Sequence, residues 1–290
     1  MRVLLIGSDT TLGVALEQHL SRWGRHDYEC VTFAASRWKS ERHAKKVIRR
    51  CQPDLLIDAR IQGAVDSGEP LFEPDIDRCH WLAKACQRNG VAYFLLSSSR
   101  VFAGQQERPY AEDDLPDNEG TLGSMLQQSE QRVRATCDRH VILRLGPVFS
   151  HRGRNLFTNL MAQLHSGGKL SLDSSQRGCP VAASDAARII AGVLDQLSAG
   201  AETWGNYHYC SPDTTNCYEF TQVLLTAASS FAEFDPEAVT LCEEPGEQSI
   251  SRRLDCSRLR NTFAIKQLSW RSFVADALKL YFDSLQHSES

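Results

Sequence analysis

The sequence lacks several features that would assign it to a specialised class of protein. No apolar run comes close to the roughly 18 residues of a membrane span, so we expect no membrane segment. The 32 lysines and arginines against 36 aspartates and glutamates give a net charge of −4, which does not predict nucleic-acid binding. No small-residue cleavage site follows the short apolar run at the N-terminus, so we do not interpret it as a signal peptide.

The ten cysteines lack the spacing of a metal site or of a disulfide framework. None belongs to a CxxC pair, and most lie inside apolar or helical patterns. The nine histidines show no metal-ligand spacing either. Such cysteines are typical of free thiols that serve as small hydrophobic residues in a reducing compartment. We therefore predict no metal and a cytoplasmic location.

The sequence does have the composition and the alternating pattern of an α/β protein. Hydrophobic residues make up 42% and charged residues 23% of 290 positions. Strand-like apolar runs alternate with amphipathic helical patterns, and parallel strands need such crossover helices. We predict a Rossmann-type doubly wound parallel sheet in residues 1–150. Residues 151–290 are expected to form a smaller α/β substrate lobe, with contributions from both halves interleaved.

A glycine turn follows the first predicted strand. The segment GSDTTLG opens a predicted helix, and Thr10 stands where a middle glycine would complete GxxGxxG. In nucleotide-binding turns, glycines allow a pyrophosphate to approach, and the helix N-terminus supplies N–H groups. The alternative is an ordinary turn without a ligand. The candidate nucleotide-binding residues are Gly7, Thr10, Thr11, Leu12 and Gly13.

The second predicted strand ends at Phe33 without the acidic residue that would hold the ribose 2′-hydroxyl group of NAD. Arg37 and Lys39 follow, and they could face the 2′-phosphate of NADP instead. The residues therefore favour NADP(H) as the cofactor, with NAD(H) as a second possibility. The alternative is that both cations are solvated loop residues.

Several segments, in order along the chain, resemble the extended short-chain dehydrogenase/reductases, specifically the dTDP-4-dehydrorhamnose reductase family. They are PDLLIDARIQGAVD, SSSRVFAG, PYAEDDLP, the strand that contains Arg144, QRGCP and the closing helix from Trp270. The resemblance implies an NADP-binding fold and a sugar-nucleotide ligand. The family also contains a non-catalytic member, the regulatory β subunit of methionine adenosyltransferase.

The catalytic residues that the resemblance implies are only partly present. Catalytic members use a serine or threonine, a tyrosine that protonates the substrate carbonyl, and a lysine four residues later. Ser98 matches the first position, but Leu122 and Leu126 align with the tyrosine and the lysine. Tyr110, in the preceding loop, is a candidate substitute for the missing acid.

Four further residues are candidates for the substrate side that the resemblance implies. They are Ser99, Arg100, Arg154 and Gln176. We predict a binding or regulatory protein with impaired catalysis that takes a sugar nucleotide or another small molecule. A protein partner or a homodimer is possible. The alternative is a divergent but active NADPH-dependent reductase of a 4-keto sugar nucleotide.

Overall fold

The computed structural model describes residues 1–23, 28–38, 40–242 and 249–287. The helices are α1 Thr11–Trp23, α2 Glu41–Cys51, α3 Arg60–Ser67, α4 Glu73–Asn89, α5 Thr121–Arg134, α6 Leu156–His165, α7 Ala183–Ser198, α8 Cys217–Ala228, α9 Ser257–Phe263 and α10 Val274–Gln286. The strands are β1 Arg2–Ile6, β2 Glu29–Phe33, β3 Leu55–Asp58, β4 Ala92–Ser98, β5 His140–Leu145, β6 Val148–Phe149, β7 Leu170–Asp173, β8 Gln176–Gly178, β9 Val181–Ala182, β10 Gly205–Tyr209, β11 Thr215–Asn216, β12 Val239–Cys242 and β13 Ile250–Ser251.

The main sheet has the strand order β10-β5-β4-β3-β1-β2, and every neighbouring pair is parallel. Strands β3 and β4 are buried along their whole length. Their sequences are nearly continuous apolar runs because helices cover both faces of a parallel sheet. The predicted Rossmann-type α/β fold is confirmed.

Strand β10 joins the main sheet, although its sequence position falls in the C-terminal half. It pairs with β5 in register from Gly205 opposite Val141 to Tyr209 opposite Leu145. Helix α7, which precedes it, packs against α1. The main sheet therefore takes one strand from beyond residue 150.

The buried side chains form two clusters that meet at β6. Val148 belongs to the cluster that surrounds the main sheet, whereas its neighbour Phe149 belongs to the second cluster. The second cluster is built mainly by α6, α8 and α10. Within the described residues, three small sheets accompany it, namely β12-β7, β11-β8-β13 and β6-β9.

The ten cysteines are all free thiols, and most are buried. In the described part of the chain, no group of three or more His, Cys, Asp or Glu side chains is arranged to hold a metal ion. No helix within the same ranges is long and apolar enough to cross a membrane.

Candidate nucleotide-binding site

The glycine turn closes tightly between β1 and α1. Gly7 has φ +83°, a backbone conformation that residues with a Cβ atom rarely adopt. Its N–H group donates a 2.8 Å hydrogen bond to the carbonyl of Phe33 at the end of β2. A Cβ atom on Gly13 would lie 1.9 Å from the carbonyl oxygen of Gly7. Only glycine therefore lets α1 start this close to the turn.

Thr10 is part of the turn itself. Its Oγ1 donates to the carbonyl of Gly7 at 2.7 Å and accepts from the N–H group of Gly13 at 3.1 Å. Its methyl group faces α3, where a Cβ atom on Gly63 would lie 2.4 Å from it. The threonine is therefore accommodated because Gly63 has no side chain.

A cleft of about 470 Å³ opens beside this turn, at the carboxyl ends of β1, β2 and β3. Thr10 and Thr11 line it, whereas the side chain of Leu12 is fully buried, which leaves only its backbone to face a ligand. The first N–H groups of α1 have no acceptors within the helix, and its first turn has no acidic residue. This end of the helix suits a pyrophosphate.

The loop before α6 lies against the N-terminus of α1. Asn155 is fully buried, and its side chain holds the carbonyls of Arg152 and Gly153 while it caps α6. A Cβ atom on Gly153 would lie 2.8 Å from Oγ1 of Thr11. Arg154, which we predicted on the substrate side, lines the cleft beside α1. The loop thus brings a cation to the expected position of the phosphates.

Of the two cations predicted to face a 2′-phosphate, the structure describes only the backbone of Arg37. Arg37 ends a short 3-10 helix, Ala35–Arg37, but its side chain lies outside the described residues, as does all of Lys39. Their role remains a prediction.

Ser98 ends β4 and is almost fully buried. Its Oγ accepts a 3.3 Å hydrogen bond from the N–H group of Arg100. Through this bond Ser98 caps the short 3-10 helix Ser99–Val101. The Ser99 residue is buried as well, whereas Arg100 is exposed. Only Arg100 of these three therefore offers its side chain to solvent.

Leu122 and Leu126 lie four residues apart on α5. Leu126 is fully buried in the cluster around the main sheet, and Leu122 is partly buried against the same cluster. Both side chains make the apolar packing contacts that their chemistry favours. Neither carries a proton donor or a cation.

The structure does not support Tyr110 as a substitute acid. Its side chain is fully buried, and the ring stacks on Phe102 with the centroids 4.1 Å apart. The hydroxyl group accepts hydrogen bonds from the N–H groups of Gly104 and Gln105 and donates to Asp117 at 3.3 Å. These bonds hold a loop together and leave the hydroxyl group no access to a substrate.

Arg252, which we did not predict from the sequence, contacts Gln176 and feels the charge of Arg100. Arg252 donates to Oε1 of Gln176 at 3.4 Å and to the carbonyl of Phe102 at 2.9 Å. Burial, together with the positive charge of Arg100, lowers the pKa of Arg252. Two predicted substrate residues thus share one basic neighbourhood, and neither of them lines the cleft that contains Arg154.

A buried charged network that the sequence did not indicate lies beside Ser97. Arg144 on β5 forms a 2.7 Å ion pair with Glu130 on α5, and both side chains are 1% exposed. Ser97 donates to the same carboxylate at 2.7 Å. His208 on β10 lies 3.3 Å from Arg144, and its Nδ1 lies 3.1 Å from the carbonyl of Tyr110. These contacts connect α5 to three strands.

We expect His208 to make the stability of the protein depend on pH. Burial and, second, the charge of Arg144 lower its pKa to about 3. An unfolded histidine titrates near pH 6.5, so the unfolded chain binds the proton first as the pH falls. The stability due to the neutral ring is complete above about pH 6.5 and is lost progressively towards pH 3.

His208→Gln should therefore flatten the fall in unfolding free energy between pH 7 and pH 5. The expected difference in slope is up to about 1.4 kcal/mol per pH unit. Urea unfolding at pH 7, 6 and 5 measures it. Equal slopes in the variant and the parent chain would contradict the assignment.

The fold and the glycine turn have the arrangement of the extended short-chain dehydrogenase/reductases. The family profile described as RmlD substrate binding domain matches residues 1–282, and the chain belongs to this family. The family resemblance inferred from the sequence is confirmed.

Individual relatives are distant but match along nearly the whole chain. A dTDP-4-dehydrorhamnose reductase from Sinorhizobium fredii is 23% identical, and the match covers 93% of this chain and 94% of the relative. The reductase from Escherichia coli K12 is 22% identical, with 97% and 98% covered.

Solved structures of the same kind show a similar fold. A dTDP-4-dehydrorhamnose reductase from Clostridium acetobutylicum superposes with a TM-score of 0.79 at 20% identity and covers 99% of this chain and 100% of that chain. The Bacillus anthracis reductase in complex with NADP has a TM-score of 0.78 at 17% identity, with 96% and 99% covered.

Proposed function

We propose that this chain binds a nicotinamide dinucleotide and a sugar nucleotide, and that it acts through binding rather than through hydride transfer. The observation that carries the proposal is the packing of Leu122 and Leu126 on α5. Leu126 is fully buried, and Leu122 packs against the same core cluster. A missing general acid typically lowers the rate by about 10²–10⁴-fold.

The residues of the cleft fit a dinucleotide. The Gly7–Gly13 turn and the first N–H groups of α1 would hold the pyrophosphate, and Arg154 would add a positive charge beside it. A reduced nicotinamide supplies a hydride to a carbonyl carbon, and the carbonyl oxygen then requires a proton. Leu122 and Leu126 offer neither that proton nor a cation to promote its transfer.

A binding role is consistent with action as a partner subunit, by resemblance to the regulatory β subunit in the same family. We propose a cytoplasmic location, which the free thiols support, and a protein partner or a second copy of the chain as the assembly partner. Gentle purification followed by mass measurement of the intact complex tests the partner. An isolated monomer would count against it.

The central test is a comparison of turnover with binding. We expect oxidation of NADPH or NADH with a dTDP-4-keto sugar to be at least about 100-fold slower than in a catalytic relative assayed beside it. Dinucleotides and dTDP-sugars should nevertheless raise the melting temperature, because they bind only the folded state. Turnover at ordinary enzymatic rates that Ser98→Ala abolishes would instead establish a divergent active reductase.

A further inference from the structure

Asp9 belongs to the loop after β1 but reaches the end of β2. Its Oδ1 accepts a 2.7 Å hydrogen bond from the N–H group of Ala35, the second residue beyond β2. Asp9 is exposed and lines the same cleft as Ala35 and Ser36. The glycine turn thus brings a carboxylate to a strand end that has none of its own.

This position has a defined task in Rossmann-type sites. An acidic residue at the end of this strand accepts a hydrogen bond from the ribose 2′-hydroxyl group, and a cation there accommodates a 2′-phosphate. We propose that Asp9 is the ribose-recognition residue of this cleft and favours the unphosphorylated ribose of NAD(H) over NADP(H). This inference rests on the proposed function, because it requires a dinucleotide in the cleft.

Among the described residues, the other acidic groups that line the cleft leave this role to Asp9. Asp75 is paired with Arg78 at 2.6 Å, and Arg60 is paired with the buried Asp58. Glu69 also lines the cleft and is exposed, but it follows α3 rather than β2. A 2′-phosphate near Asp9 would meet a like charge, whereas a hydroxyl group would find an acceptor.

The test compares the affinities of NAD⁺ and NADP⁺ by calorimetry. We expect the parent chain to bind NAD⁺ about tenfold more tightly than NADP⁺. Asp9→Asn keeps an oxygen for the N–H group of Ala35 but removes the charge. We expect this variant to lose the difference, mainly through tighter binding of NADP⁺. Glu69→Gln, the matched control in the same cleft, should keep the parent ratio.

The possible results separate this inference from the proposed function. If neither dinucleotide binds the parent chain, the role of Asp9 and the proposed dinucleotide binding are both wrong. If the parent chain binds both dinucleotides but prefers NADP⁺, as Arg37 and Lys39 predict, only the role of Asp9 is overturned. An unchanged ratio in a folded Asp9→Asn variant overturns it as well. The ratio of the NAD⁺ and NADP⁺ affinities is measured on the parent chain itself, so the test holds even if the variant misfolds.

Discussion

Arg144→Met should lower the free energy of unfolding by about 3–5 kcal/mol, because it leaves a carboxylate buried without its main partner. Glu130 accepts from Nε and Nη2 of Arg144 at 3.0 Å and 2.7 Å. Its remaining contacts are Ser97 at 2.7 Å and the half-exposed Arg134 at 3.4 Å. Methionine is long enough to fill most of the volume, so the loss should reflect the charge. Urea unfolding at pH 7 measures it.

Two companion variants separate the buried charge from other causes. Asp113→Ala removes the ion pair with Arg258, in which the aspartate side chain is 84% exposed, and should cost less than about 1 kcal/mol. The double variant Glu130→Met with Arg144→Met should regain part of the loss, because no charge then remains buried. A double variant less stable than Arg144→Met would show that the pair itself holds α5 on the sheet.

The parallel sheet could be predicted from the sequence because its signals are local. Buried strands such as β3 and β4 are continuous apolar runs, and the helices between them carry amphipathic patterns. Strand β10 could not be placed in the same way. Its partner β5 lies some sixty residues earlier, Tyr207 pairing with Leu143, and no local pattern records which edge of a sheet a strand will join.

In the candidate site, too, the contiguous motif could be predicted from the sequence, whereas the contacts between distant segments could not. The Gly7–Gly13 turn is a contiguous motif, and its tight geometry follows from the positions of the glycines. The side-chain partners across the fold are not contiguous. Asp9 accepts a hydrogen bond from the N–H group of Ala35, and the hydroxyl group of Tyr110 accepts one from Gly104. Only the folded structure shows that an exposed turn aspartate reaches the backbone just after β2 and that a loop tyrosine is buried.

The buried ion pair between Arg60 and Asp58 at the end of β3 is a further contact that the sequence alone does not predict. Arg60 lies just after β3, and it donates to Asp58 at 2.7 Å and 3.0 Å. Tyr93 donates to the same carboxylate at 2.7 Å. The sequence shows an arginine two residues after an aspartate. The burial of both follows from the helix α4 above them, where Cys79 contacts the guanidinium group.

Gly13→Ala should weaken dinucleotide binding at least about 100-fold, equivalent to about 2.7 kcal/mol. The new Cβ atom would lie 1.9 Å from the oxygen and 2.8 Å from the carbon of the Gly7 carbonyl. Both neighbours are backbone atoms, so the turn must open and the N-terminus of α1 must move away from the pyrophosphate. The same crowding should lower the unfolding free energy by about 1–3 kcal/mol.

Gly192→Ala is the matched control, since it adds the same methyl group to a helix elsewhere. Its Cβ atom would meet Ile265 at 3.4 Å, an ordinary contact, and alanine favours a helix by about 1 kcal/mol over glycine. Calorimetric titration should therefore give unchanged binding for this variant. If Gly13→Ala also bound dinucleotide with the parent affinity, the pyrophosphate could not lie on the glycine turn, and the cleft beside Arg154 would have to hold a different ligand.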